Sequence, residues 1–329
     1  MSEKIKKYSL QLFKLLFAGG LLYWMLLKGN LDIQSFRSIL NIELVVVCYL
    51  LLIFMLSINH LRWWWLLKAR QFDVTYLNTL ALTFIGLFFN FVMPGSVGGD
   101  VVKGYYLCKD HPERKMDAAL TILMDRVIGI FAMMSLALLG VLLSWEKIHN
   151  NLIIMNLFWL ILSIFTGVLF IFVFFLLQND QARWLMKISK LKIWGIGFLL
   201  KVLGAFQAYR HHTQSLLAAF LFSLVSQMIA VVFFVYVGQQ LGETLAFEAY
   251  LFAVALGFIS SSIPISPGGI GVGQVAFFFF FKTYTGQDLQ VGSIGITIQQ
   301  AVMFSLGLLG GLLYLRTSKS QSNVKELRV

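Results

Sequence analysis

Six stretches of this chain stay apolar for longer than a soluble helix needs, near residues 8–28, 42–60, 118–143, 152–177, 215–237 and 291–315. A hydrocarbon core about 30 Å thick takes roughly 17 to 25 such residues as one helix, so these stretches commit the chain to lipid. Composition agrees, with 59% of the 329 residues hydrophobic and 12% charged, against roughly 25% charged in soluble domains. Within lipid every backbone N–H and C=O must be paired inside the protein, and for runs of this length the helix does so. The expected fold is an all-α polytopic membrane protein, a single integral membrane domain over 1–329.

Two further apolar stretches, 77–108 and 249–281, are interrupted midway by proline and glycine, which do not continue a regular helix. Lysine and arginine placement decides how they run. With the N-terminus inside, twenty of the 26 Lys and Arg fall in cytoplasmic segments, among them Arg62, Lys68, Arg70 and Lys103. Four lie outside (Lys28, Arg37, Lys147 and Lys282), while Lys14 and Arg126 fall within helices. By the positive-inside rule both termini are expected in the cytoplasm, here of a bacterial inner membrane. That bookkeeping requires each broken stretch to return to the side it entered from. Each leg has about 14 to 17 residues and reaches roughly 21 to 26 Å, short of a crossing. Two opposed re-entrant hairpins beside six transmembrane helices are expected, or eight helices if the hairpins are counted as crossings.

The basic residues Lys4, Lys6 and Lys7 ahead of the first apolar stretch resemble a signal peptide without its A-x-A-like site, so a retained first helix is expected. Trp63, Trp64 and Trp65 fit an interfacial aromatic belt. Residues 178–214 read as a basic cytoplasmic linker in which 194–209 lies in the interface plane. Residues 316–329 read as a cytoplasmic tail.

Three of the four prolines fall in the broken stretches. At an offset of 170 residues Pro94 meets Pro264, Ser96 meets Ser266, Gly98 meets Gly268 and Gly99 meets Gly269. The same offset carries 42–60 onto 212–230 and 118–143 onto 288–313, giving pseudo-repeat halves of about 42–143 and 212–315. Two units of opposite direction, each with a Gly/Pro-interrupted hairpin, mark a transporter-like site near the midplane. Tight packing of small residues is the competing explanation of the same motifs.

The chemistry of the motif residues supports several roles. Gly95, Gly98 and Gly99 precede a short helix starting near Asp100, and a glycine-rich helix N-terminus binds anions such as a lipid phosphate. Ser266-Pro267 reads as N-cap then N1 of a matching half-helix. Asp100 is either an N-cap or a partner of Lys103, Arg126 or a substrate cation. Asp125 and Arg126 point about 100° apart on a helix, so each needs its own partner. Arg126, roughly 13 Å into its span, makes either a structural ion pair or a head-group contact. Asn90, Gln227, Gln274, Gln299 and Gln300 must find interhelical bonds or a wet cavity.

Other chemistries lack their patterns. Cys48 and Cys108 make no disulfide framework, and His211 and His212 have no partners at zinc spacing, so no metal is expected. Gly271-x-Gly273-x-x-Ala276 lacks the strand and acidic residue of a dinucleotide site. There is no P-loop, nucleophile elbow or H-E-x-x-H, so neither a cofactor nor catalysis is expected, and nucleic acid is not an expected partner.

The run Asn90-Phe-Val-Met-Pro-Gly-Ser-Val-Gly-Gly-Asp100 with Lys103, then Asp125-Arg126 with Gly129, and Pro264-Ile-Ser-Pro-Gly-Gly-Ile-Gly271 resemble a known family. They are similar to flippase-like membrane proteins related to the transmembrane region of lysylphosphatidylglycerol synthases, and the resemblance spans nearly the whole chain. It implies movement of a lipid between leaflets, or a platform for a lipid-modifying enzyme. Relatives often carry Arg at the position of Lys103 and Glu at that of Gln274, so proton coupling through that carboxylate is not implied here. The sequence after Leu315 is a short basic tail, and lysyl-lipid synthesis by this chain alone is not expected. The candidate site for a phospholipid or a lipid-linked phosphate or sugar comprises Asn90, Gly95, Ser96, Gly98, Gly99, Asp100, Lys103, Asp125, Arg126, Ser266, Gly268, Gly269 and Gln274. Its expected partners are lipids with anionic phosphate head groups and, in the platform role, a lipid-modifying enzyme.

Overall fold

A computed structural model describes residues 16–93, 97–177, 209–210 and 212–326, and all regular structure among them is helical. The helices are α1 (Leu16–Leu27), α2 (Ile33–Ile39), α3 (Ile42–Ala69), α4 (Tyr76–Val92), α5 (Gly98–Asp110), α6 (Lys115–Leu143), α7 (Leu152–Leu177), α8 (Thr213–Gln240), α9 (Phe247–Ser261), α10 (Val272–Thr285) and α11 (Val291–Glu326). A single helical turn (Trp145–Ile148) and two 3₁₀ turns (Pro112–Arg114 and Pro267–Gly269) complete them. The chain is an all-α polytopic membrane protein.

Five described helices are long and apolar enough to cross a membrane: Ile42–Ala69, Pro112–Leu143, Leu152–Phe174, Thr213–Gln240 and Val291–Arg316. The sixth expected span, 8–28, lies partly outside the described residues, and its described part, α1, is a shorter apolar helix. The interfacial segment expected at 194–209 falls outside them except for Tyr209, which is fully buried and donates its hydroxyl to the carbonyl of Leu66. The legs of the broken stretches have 17 and 13 residues (α4 and α5) and 15 and 14 (α9 and α10). At 1.5 Å per residue they reach about 20 to 26 Å, short of a core about 30 Å thick, as expected.

Caps chosen by local chemistry set the helix ends. Asn41 accepts from the N–H of Leu44 at α3, and Thr75 from that of Asn78 at α4. The Glu243 carboxylate accepts from the N–H groups of Gln290 and Val291 at the start of α11, where the helix dipole favours a negative charge. Helix α3 continues beyond its expected end at 60, because Arg62, Trp63, Leu66 and Leu67 are buried in the bundle instead of standing at its edge. Trp63 is therefore not part of an aromatic belt; Trp65 is the exposed member of that run.

Packing follows the 170-residue offset. Helix α3 packs on its counterpart α8, whereas α4 packs on α11 and α9 packs on α6, each hairpin lying against the last helix of the other half. A two-fold exchange of halves turns the first of these swapped contacts into the second, as an inverted repeat requires. Matching glycines make both crossings. A Cβ on Gly140 of α6 would lie 2.8 Å from the carbonyl oxygen of Glu248, at the start of α9. One on Gly310 of α11, 170 residues on, would strike the carbonyl of Phe84 in α4. Small residues let membrane helices approach this closely. Helix α7 stands outside this arrangement, with Leu152, Trp159 and Phe170 exposed toward lipid.

Leucine at either crossing should therefore lower stability by about 1–3 kcal/mol, the usual cost of forcing extra methylenes into a packed interface. Thermal unfolding of the detergent-purified protein checks this. Gly167→Leu on α7, where a side chain meets nothing within 4 Å, should leave the transition unchanged. Equal melting of all three variants would refute the swapped packing.

Candidate functional site

An arginine in the last third of α3 is the centre of the charged region. Arg62 makes a two-pronged ion pair with Asp125 of α6, Nε to Oδ1 at 2.7 Å and Nη2 to Oδ2 at 2.9 Å. Its remaining Nη1 donates to Ser223 Oγ of α8 at 2.7 Å. The planar guanidinium thus ties three helices together, with side-chain exposures of 10% for Arg62 and 18% for Asp125. Gly129, one turn after Asp125, makes the room: a Cβ there would stand 3.3 Å from Nη1. Arg62 was counted among the cytoplasmic charges and instead lies within the bundle. Removing it leaves nineteen inside against four outside, so the charge asymmetry survives.

Asp125 and Arg126 have separate partners, as their 100° separation demands. Arg126 Nε pairs with Asp100 Oδ2, joining α6 to α5. Asp100 is not an N-cap: α5 begins at Gly98 after Val97, and Asp100 sits in its first turn, where the dipole favours a carboxylate. One turn on, the Nζ of Lys103 lies 4.9 Å from the centre of the Trp63 ring, on α3 beside Arg62. Gly86 of α4 admits the lysine stem, since a Cβ there would sit 3.0 Å from Lys103 Cε. Among the described residues no carboxylate pairs with Lys103. Three cations and two carboxylates gather here, leaving one positive charge uncompensated. Two buried ring nitrogens in the same region, Trp63 Nε1 and His60 Nε2, have no hydrogen-bond partner among the described residues.

The glycine motif works differently from the expected anion cradle. The N–H of Gly99 is taken by Asn90 Oδ1 at 2.7 Å. A Cβ on Gly98 would lie 2.5 Å from the carbonyl oxygen of Phe89, and one on Gly99 would strike that of Gly86. Both glycines serve to bring α5 against α4. Pro94, Gly95 and Ser96 fall outside the described residues.

In the second motif Ser266 precedes Pro267 as expected, but they open only a 3₁₀ turn, and the Ser266 hydroxyl makes no capping bond. The half-helix α10 starts later, at Val272 after the N-cap Gly271, whose φ of +82° strains any residue with a side chain. Gly268 (φ +58°) faces the ring of Phe91 from α4, where a Cβ would lie 2.5 Å from Cδ1, so the two hairpins touch at their tips. Gln274 accepts from the N–H of Gly271 at 2.7 Å and donates to Gln300 Oε1 at 2.8 Å and Thr297 Oγ1 at 3.2 Å. Gln300 in turn donates to the carbonyl of Gly268 at 3.2 Å.

The structure thus brings Asp100, Lys103, Asp125 and Arg126 into one region and joins Gly268 to Gln274 through Gln300. It adds Arg62, Trp63, Ser223, Thr297 and Gln300, which the sequence reading left out of the site. An arginine seven residues before the end of an apolar helix, with an unpaired aspartate on another, was the available signal for Arg62. Arg62→Met should cost about 3–5 kcal/mol by leaving Asp125 buried and unpaired, whereas Arg62→Met with Asp125→Leu should regain most of that loss. A double-mutant cycle on thermal unfolding measures it, and additive losses would show that the pair does not act as a unit.

The charged cluster and paired hairpins find their place in comparison with known proteins. The family described as the lysylphosphatidylglycerol synthase TM region matches residues 11–311. A UPF0104 membrane protein of Pyrococcus horikoshii is 22% identical, over 96% of this chain and 98% of that one. One of Methanocaldococcus jannaschii is 24% identical over 69% of this chain and 93% of its own, and another from that organism is 30% identical over 30% of this chain and 31% of its own. No solved structure matches. The chain belongs to the lysylphosphatidylglycerol synthase TM region family.

Proposed function

We propose that this protein moves a lipid with an anionic phosphate head group, a phospholipid or a lipid-linked phosphate or sugar, between the leaflets of the membrane. The observation that carries this reading is the uncompensated Lys103, held in a bundle at the first hairpin beside the Asp100–Arg126 pair. Ionisable groups inside a membrane protein are costly and mark substrate paths. A phosphate oxygen would accept from Lys103 Nζ, held over the ring of Trp63. It would also compete with Asp100 for Arg126, whose side chain is 34% exposed. Asp100 pairs with Arg126 when no head group is present and repels an arriving phosphate, so the phosphate takes its place only as the carboxylate turns away from Arg126.

Both termini lie in the cytoplasm in this reading, by the distribution of Lys and Arg, and the membrane is the cell's inner membrane. Acyl chains remain in lipid while the head group passes the hairpin tips and the two halves rock about it. A platform role beside a lipid-modifying enzyme is the second reading, favoured by a family description that names the membrane region of a synthase.

Purified protein in liposomes with fluorescent phosphatidylglycerol tests the first reading. Lys103→Gln should slow leaflet exchange about tenfold, the equivalent of about 1.4 kcal/mol for one charge-assisted contact, and Lys103→Arg should keep most of it. Exchange that is equally fast in Lys103→Gln would dismiss the cation as head-group ligand. Absence of exchange in the native protein, with a lipid-modifying enzyme co-purifying, would favour the platform.

A further inference from the structure

His60 stands on α3 one turn before Trp63, so the two share a face of the helix. It is 1% exposed, and its hydrogen bonds fix where its ring proton sits. The Thr83 hydroxyl on α4 has one hydrogen, given to the carbonyl of Thr79 at 2.9 Å, so its oxygen is left to accept from His60 Nδ1 at 3.2 Å. With the proton on Nδ1, the neutral ring carries a bare lone pair on Nε2, a buried atom with no hydrogen-bond partner among the described residues. Tyr76 lies edge-on to the ring at 4.5 Å, and its backbone is the acceptor that a protonated ring meets.

Helix α3 is packed by α4, α6, α8 and α11. The charges of α6 are engaged elsewhere, Asp117 by Arg70 and Arg114, Asp125 by Arg62, and Arg126 by Asp100. Arg62 is two residues on from His60, about 200° round the helix, and Ser223 of α8 goes with it. Tyr236 of α8 lies toward the other end of α3, with Glu43 and Cys48. Helix α4 has no charged residue, and α11 has no ionisable one before Tyr314. The charge that bears on His60 is the ammonium of Lys103, from α5, 4.9 Å from the centre of the Trp63 ring. An uncompensated Lys103 opposes a positive charge on the imidazole, and that opposition is lifted once an anion pairs with the lysine.

We propose that His60 binds a proton together with the head group: as a phosphate arrives at Lys103, a proton from water adds to the Nε2 lone pair, and it returns to water when the phosphate leaves. This rests on reading Lys103 as the head-group ligand. Each binding event favours the other to the same degree, because each offsets the charge that the other brings. A phosphodiester and a proton together add no net charge, so the bundle keeps the single surplus positive charge that it has without them.

The test is nitrogen NMR of the isotope-labelled histidine ring in nanodiscs, with His111, His149, His211 and His212 replaced by glutamine so that His60 alone reports. If that variant does not fold, the same titration is read on the native chain as its difference from His60→Gln. In phosphatidylcholine at neutral pH the ring should show hydrogen on Nδ1 and none on Nε2. As the pH is lowered, Nε2 should gain its proton about one pH unit higher in phosphatidylglycerol than in phosphatidylcholine, a tenfold linkage. Lys103→Gln should remove that dependence on the lipid, whereas the surface charge of an anionic bilayer would shift both forms alike. A proton on Nε2 at every pH, a midpoint indifferent to phosphatidylglycerol, or an equal shift in Lys103→Gln would overturn the proposal. Linked protonation in a protein that exchanges no lipid would overturn translocation and leave the linkage standing; exchange with an unlinked His60 would do the reverse.

Discussion

A helix that stops partway across a bilayer leaves N–H and C=O groups where no water can reach them, each unsatisfied group costing several kcal/mol. Four short helices here meet in pairs at the broken stretches, and the side chains that close those facing ends organise what surrounds them. Asn90 reaches from the last turn of α4 to the N–H of Gly99. Gln274 folds back on the N–H of Gly271, and Gln300 crosses from α11 to the carbonyl of Gly268. By fixing where α5 begins, Asn90 also fixes the height of Asp100 and Lys103, and hence which turn of α6 faces them.

The two halves share a scaffold and differ in chemistry. At the 170-residue offset Arg62, Asp100, Lys103, Asp125 and Arg126 correspond to Val232, Ile270, Gly273, Gly295 and Ile296. Gln274 and Gln300 correspond in the other direction to Gly104 and Ile130. Around its hairpin one half has ion pairs and a surplus positive charge, and the other has neutral amides. Exchanging the halves therefore preserves shape but not electrostatics.

Much of the architecture was legible because it rests on local rules. Apolar run length and the helix-breaking of Pro94, Pro264 and Pro267 are properties of a few neighbouring residues, and they located the short legs. The need of Asp125 and Arg126 for different partners followed from helical geometry. The identity of those partners depends on which helices pack together, so sequence alone places Arg62 at the membrane surface rather than against Asp125 and Ser223. Gly98 and Gly99 left two readings open, an anion cradle and close packing, for a related reason. A glycine before a helix exposes an amide only if nothing else approaches, and here the carbonyls of α4 and Asn90 occupy that space. The late start of α10 depended on the positive φ angles of Gly268, Gly269 and Gly271, which the motif permits without requiring.

The swapped packing has a consequence in time. Helix α4 finds its principal neighbour in α11, which begins about 200 residues later in the chain. At roughly 5–20 residues per second of synthesis, that delay is about 10–40 s. During it, the first hairpin sits in the membrane with the face that will meet Gly310 uncovered and Asp100 dependent on Arg126 of the helix made next. The second hairpin has no such wait, since α6 is already in place when α9 emerges. Biogenesis of this two-fold molecule is thus asymmetric: its first half is held open until its last helix arrives.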